Sequence, residues 1–194
     1  MTEPAPPASA RRDELLELAY QYATRNGLAE LSLRPLAAAV GSSPRVLLFL
    51  FGSKDQLLRA LLARARQDQL TLLERMRTAS APADLAAAVR GLWHWLAAPA
   101  HRPLLALWLE AYAQSLRQPH GPWGGFARQT VEDWLAELAL AQSPAHRRST
   151  LDTAERTLAL AVMRGVLLDL LATGDQERTT AAMEHYLKAT VKTG

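Results

Sequence analysis

The side chains best placed to do chemistry lie between Ser32 and Lys54. Ser43-Pro44-Arg45 reads as a helix start, a capping hydroxyl followed by a proline at the first helical position, where a missing N–H costs nothing. A guanidinium at the exposed start of a short helix can make two parallel hydrogen bonds to a guanine edge, which discriminate by about 1–3 kcal/mol against another base. Arg45 is otherwise a solvated surface arginine. Lys54 follows Ser53 at the start of another helix, where a cation is unfavourable by about 0.3–1 kcal/mol. A phosphate at that helix end would reverse the sign, because the ammonium and the N-terminal N–H groups would both attract it. Ser32 and Ser43 either cap their helices only or cap and also touch phosphate, and Arg34 is a further candidate for backbone contact.

The elements that must hold these residues are helices. Leu and Ala supply 36 residues each of 194, Ile is absent and Val occurs seven times, which excludes an all-β fold and disfavours a doubly wound α/β one. The first 8 residues, with Pro4, Ala5, Pro6 and Pro7, read as a flexible tail. A first helix runs from about Ser9 and ends at Asn26-Gly27, with Leu15, Leu16, Ala19, Tyr20 and Ala23 at helical spacing. A second starts on the capping Ser32, carries Pro35 in its first turn, buries Leu33, Leu36, Ala37 and Val40, and ends at Gly41. A third runs from Ser43-Pro44 to about Leu50, and Phe51-Gly52 breaks it. Ser53 caps a fourth and longer helix, Lys54 to about Thr78. Two short helices joined by a glycine-containing turn are the pattern of a helix-turn-helix.

Residues 32–58, SLRPLAAAVGSSPRVLLFLFGSKDQLL, resemble the DNA-binding signature of TetR-type regulators. Ser32, Leu36-Ala37, Gly41, Ser43, Leu47, Phe51, Ser53, Lys54 and Leu57-Leu58 carry the resemblance, and Ala19 and Gly27 extend it into the first helix. It covers about 50 residues. One segment departs from the pattern: Val46 to Phe51 is wholly apolar, where TetR-type proteins commonly place Tyr or His able to donate to phosphate. Six consecutive apolar residues on a helix cannot all face a core. Leu48 and Phe49 either meet thymine methyls or pack against the first helix.

The rest of the chain is punctuated into longer helices. Ser80-Ala81-Pro82-Ala83 opens one that ends near Ala97, and Pro103 lies in the first turn of another reaching Leu116. A loop from Gln118 to Gly125 precedes a helix to Ala141, and Ser143-Pro144 breaks it. Thr150 caps a long helix to Thr173, stopped by Gly174, and a last helix spans Gln176 to Val191. The expected fold is all-α with about nine helices. It divides into a tail at 1–8, a helix-turn-helix domain at 9–53 and a C-terminal domain at 54–194.

The resemblance implies that this C-terminal part dimerises and binds a small apolar effector. All five tryptophans lie between 93 and 134, and Trp93, Trp108, Tyr112, Trp134 and Met163 are candidates for a pocket or for ordinary core. Glu110, inside an apolar run, would orient a polar group of an effector or join an ion pair. The helix from 151 to 173 is apolar around most of its circumference and is expected to be buried. Leu158, Val162, Gly165, Val166 and Asp169 on it, with Tyr186 on the last helix, are the candidate dimer contacts. Gly165 would permit close backbone approach there.

The excess charge, +3, permits a nucleic-acid partner without demanding one. Nineteen of the 22 cations are Arg, a composition that suggests a GC-rich bacterial genome. The absence of cysteine removes disulfides, zinc ribbons and thiol nucleophiles, and fits a cytoplasmic location. The N-terminal residues do not read as a secretory signal, and no transmembrane helix is expected. His94, His101, His120, His146 and His185 show no metal-ligand spacing, and no phosphate-cradling glycine loop or nucleophile elbow occurs. No catalytic residue, metal or cofactor is expected. The expected function is a DNA-binding transcriptional regulator that represses as a homodimer on a palindromic operator in double-stranded DNA and is released by a small-molecule effector. The alternative is a helical ligand- or protein-binding module that has lost DNA binding.

Overall fold

The computed structural model describes residues 8–28, 31–79, 84–144, 147 and 149–191. Among them the chain forms α1 (Ala8–Asn26), α2 (Leu33–Ala39), α3 (Pro44–Phe51), α4 (Lys54–Ala79), α5 (Leu85–Ala97), α6 (Arg102–Arg117), α7 (Phe126–Leu140), α8 (Thr150–Thr173) and α9 (Gln176–Val191). A 3₁₀ turn at Pro99–His101 precedes α6, and no strand occurs among the described residues. The all-α fold agrees with the composition, and the described residues hold nine α-helices, as the punctuation of the sequence suggested. Of the expected N-terminal tail only Ala8 is described, and it opens α1. The expected helix start at Ser80–Ala83 lies outside the described residues.

The chain divides into two compact units. The first comprises the residues up to Asp68 together with Ala106–Arg128, and the second comprises Gln69–Leu105 and the residues from Gln129 onward.

In the first unit α1, α2 and α3 pack on one another. The α1 stripe Leu15, Ala19 and Ala23, at spacings of four, is fully buried. Leu36 and Ala37 of α2, and Leu47 and Phe51 of α3, are buried with it, as are Leu57 and Leu61 of α4. Truncating a fully buried leucine of this kind to alanine removes about 2–5 kcal/mol. Phe51 also receives the Arg12 guanidinium over its ring at 4.9 Å, which covers the core's edge with a charge whose stem is apolar.

In the second unit α5, α8 and α9 pack pairwise. Val89, Leu92 and Trp93 of α5 meet a core shared with Met163 and Leu170 of α8 and Met183 of α9. The indole N–H of Trp93 donates to Thr180 Oγ1 at 3.1 Å, so the buried ring keeps its one polar atom satisfied. Arg90 binds Glu184 at 2.9 Å, and Arg178 clasps Asp169 through two N–H donors at 2.6 and 2.7 Å.

Several caps differ from the sequence reading. Ser149, not Thr150, caps α8, accepting the Asp152 N–H at 3.4 Å. Asp84 caps α5, accepting the Ala87 N–H at 2.7 Å. Adjacent hydroxyl residues are equivalent in a sequence, and only the extended backbone of the true cap aims its oxygen at the N–H groups. The burial expected for α8 is also corrected. Its buried face is Arg156, Ala159, Leu160, Met163, Leu167 and Leu170, whereas Leu151, Leu158 and Leu168 are 70%, 53% and 53% exposed in the single chain.

Candidate nucleic-acid interface

The link between α2 and α3 is built by backbone chemistry. Gly41 has φ +63°, and nothing lies within 4 Å of the position its Cβ would occupy, so the left-handed conformation rather than crowding selects glycine. Gly41 N–H donates to Ala38 O at 3.3 Å and Ser42 N–H to Ala37 O at 2.8 Å, a Schellman closure of α2. The chain then enters α3 at once. Ser43 has extended backbone, its hydroxyl oxygen accepts the Val46 N–H at 3.3 Å, and Pro44 occupies the first helical position. At the far end Gly52, φ +83°, returns its N–H to Leu48 O at 2.8 Å and releases the chain into α4.

This turn divides the short α3 helix into two faces. Leu47 and Phe51 point into the core. Arg45, Val46, Leu48 and Phe49 are exposed, Phe49 at 82% and Val46 and Leu48 at 39% each. Phe49 lies opposite the inner face formed by Leu47 and Phe51, which does not fit its packing against α1, whereas Leu48 flanks that face and is partly covered. Val46 belongs to the same outer face, and sequence reasoning missed it.

Ser32, Arg34 and Lys54 are exposed on the same unit. Ser53 accepts the Gln56 N–H at 3.1 Å, and Lys54 occupies the first position of α4, in the turn whose N–H groups have no partner within the helix. Asp55 in the same turn offsets part of that positive end. Ser32 occupies the N-cap position of α2 with extended backbone, but its side chain makes no cap hydrogen bond, so the expected cap is corrected. The hydroxyl stays exposed.

Two joints hold α1, against which α3 packs. On α4, Arg64 donates to Glu17 at 2.8 Å and to Asp68, and lies over the Tyr20 ring at 4.9 Å. Burial, reinforced by the Asp68 carboxylate, pushes the Tyr20 phenol above its usual range and keeps it neutral. On α6, Glu110 Oε2 accepts the Leu28 N–H at 2.7 Å, just beyond the left-handed Gly27. A Cβ at Gly27 would stand 3.1 Å from that oxygen. The Arg64–Asp68 spacing of four was readable in the sequence. The pairings over 47 and 82 residues carry no local signal.

The other candidate residues fall in both units. Trp93, Trp134 and Met163 are buried in the second, while Trp108 is buried and Glu110 and Tyr112 are half-buried in the first. Of the candidate dimer contacts, Leu158 and Gly165 are exposed, with open space around the missing Cβ of Gly165. Val162, Val166, Asp169 and Tyr186 are half-buried, and the Asp169 carboxylate is engaged by Arg178. Among the described residues no helix is long and apolar enough to cross a membrane.

Residues 15–61 match the sequence profile of the bacterial regulatory proteins of the tetR family. No curated protein matches the chain. Solved structures do. The multidrug binding protein EbrR in complex with proflavin is 26% identical, with 90% of this chain and 98% of that one aligned and a TM-score of 0.64. A transcriptional regulator of the TetR family from Agrobacterium tumefaciens is 17% identical over 94% of this chain and 98% of its own, with a TM-score of 0.69. A protein from Saccharomonospora viridis assigned as a transcriptional regulator, in complex with choline, is 20% identical over 95% and 96%, with a TM-score of 0.71. The N-terminal domain is thus a tetR-family helix-turn-helix, and the whole chain has the TetR-type fold.

Proposed function

We propose that this TetR-type chain is a one-component transcriptional repressor that binds a palindromic operator as a homodimer and is released by a small apolar effector. The observation that carries the reading is the outer face of α3. The Gly41 turn and the Ser43 cap start α3 so that Arg45 and Phe49 are exposed on its outer face, and the cations Arg34 and Lys54 are exposed on the same unit. In this reading Arg45 contacts a guanine edge. Lys54, Arg34, Ser32 and Ser43 contact phosphates and set the register.

An isolated α3 of eight residues spans about 12 Å of helix, too little to specify a long site. Two copies with reading helices about 34–36 Å apart would read two half-sites on one face of the duplex. The exposed Leu151, Leu158 and Leu168 on α8, with the bare backbone at Gly165, support this helix as half of the dimer contact. Proflavin and choline in structures of the same fold support a small-molecule effector. The effector would act by binding the DNA-competent and incompetent states with different affinities.

The test is selection of genomic fragments by the purified protein at about 0.15 M salt, where exposed charges more than a Debye length apart are largely screened. Enrichment of one palindrome is the expected result. Failure to enrich any motif, in protein freed of copurified ligand by unfolding and refolding, would favour the alternative of a helical module without DNA binding.

A further inference from the structure

We infer that Phe49 is a reader of the 5-methyl group of pyrimidines, so that each half-site carries a thymine within about two base pairs of the guanine contacted by Arg45. The inference rests on the operator-binding reading above and adds what the apolar face of α3 recognises.

Phe49 is 82% exposed on a helix whose inner face carries Leu47 and Phe51. It is flanked by Val46 and Leu48, both partly open, so the outer face is an apolar patch rather than a lone side chain. The eight residues of α3 contain one cation, Arg45, and no carboxylate. A partner seated on this face must therefore offer apolar groups beside a hydrogen-bond acceptor and carry negative charge around them. The floor of the DNA major groove meets all three conditions, with phosphates on its rims within the field of Arg34 and Lys54.

Phe49 has no donor or acceptor, so it cannot discriminate by hydrogen bonding. The apolar feature that base edges present in the major groove is the C5-methyl of thymine, and its chemical equivalent is the methyl of 5-methylcytosine. Arg45 and Phe49 are four residues apart, a rise of about 6 Å along the helix. That is close to two base-pair steps of about 3.4 Å. Guanine acceptors and a pyrimidine methyl at that separation match the guanidinium and the phenyl together.

The experiment replaces each thymine of the selected operator by uracil, one position at a time, which deletes the methyl and leaves the pairing intact. Expected is one sensitive position per half-site, each weakening the wild-type protein about fourfold, the transfer value of one buried methylene-sized group. A cytosine at that position should bind poorly, and 5-methylcytosine should recover part of the loss. Phe49→Ala should bind the thymine and uracil operators equally. Because Phe49 is exposed, this variant should melt with the wild type. A 5-iodouracil at the sensitive position should crosslink to Phe49 on irradiation, which places the ring at that atom independently of any variant. Uracil tolerated at every position, or a Phe49→Ala protein that keeps the uracil sensitivity, would overturn the inference while leaving operator binding intact. Selection that yields no operator overturns both.

Discussion

Replacing Glu110 tests how the reading domain is held, because one carboxylate oxygen of α6 accepts the Leu28 N–H beyond the end of α1. A hydrogen bond from an amide to a charged acceptor contributes about 1.5–3 kcal/mol. Leu28 is 2% exposed, so water cannot fully replace the lost acceptor. Against this, a carboxylate beside a helix C-terminus is unfavourable by about 0.3–1 kcal/mol, and Glu110→Ala relieves that term. The expected net loss is about 1–2 kcal/mol, a fall in Tm of about 2–8 °C for a chain of this size. Glu110→Gln keeps an acceptor oxygen without the charge and should lose less than Glu110→Ala. The assay is urea unfolding of both variants beside the wild type, monitored by the tryptophan emission and by helicity so that two-state behaviour is checked. A Glu110→Ala protein within about 0.3 kcal/mol of wild type, or a Gln variant worse than the Ala variant, would refute the argument. A carboxylate that serves only an effector would leave the stability of the free protein unchanged.

Lys54→Ala should weaken binding to operator and to unrelated duplexes alike and lower the slope of log affinity against log salt by about 0.9 per subunit, as loss of one phosphate contact requires; fluorescence anisotropy over a salt series measures both. Leu158→Lys, placed on the exposed face of α8, should give a monomer by light scattering and lose affinity for the full palindrome while keeping that for a half-site. A dimer unaffected by the charge would move the interface elsewhere. The two N–H bonds from Arg178 hold the Asp169 carboxyl below its usual range. A depressed carboxylate pKa means that the pair's contribution is complete above the unfolded value of about 3.9 and is lost as pH falls through the lower folded value. The stability difference between wild type and Asp169→Asn should therefore shrink below about pH 4, and a difference constant from pH 7 to pH 2 would count against the pair.

The helices and their ends were legible in the sequence where one residue type answers one backbone demand. Gly41, Gly52 and Gly174 all have positive φ at helix ends, and Ser43-Pro44 starts α3 as its chemistry dictates. Legibility failed where neighbouring residues were chemically equivalent, as for Ser149 and Thr150, and where position alone suggested a cap, as for Ser32. The apolar run from Val46 to Phe51 could be counted but not oriented from composition. Only the packing of Leu47 and Phe51 shows which half faces outward. Glu110 illustrates the largest gap. Its type and apolar surroundings pointed to an ion pair or to a polar group of an effector, whereas one of its oxygens accepts a backbone N–H 82 residues away, to which no sequence pattern points.

That gap bears on how a reading helix can be both precise and releasable. The α3 helix is too short to hold its own geometry, since isolated helices below about 12–15 residues are marginal in water. Its orientation is fixed by burial of Leu47 and Phe51 against a three-helix core, and α1 of that core is in turn held by Arg64 from α4 and Glu110 from α6. These two joints add polar contacts to the apolar burial of the α1 stripe. An apolar core that shifted by an ångström would lose packing over many atoms at once, whereas a single carboxylate–amide contact can break, with water replacing it only in part, at a cost of about 1–3 kcal/mol. A coupling free energy of that size changes DNA affinity by roughly 5- to 150-fold, the usual range for an effector-controlled switch. The Glu110 and Arg64 joints are therefore where the proposed release would be resisted, and their variants should alter the response to the proposed effector before they alter the base contacts proposed for Arg45 and Phe49.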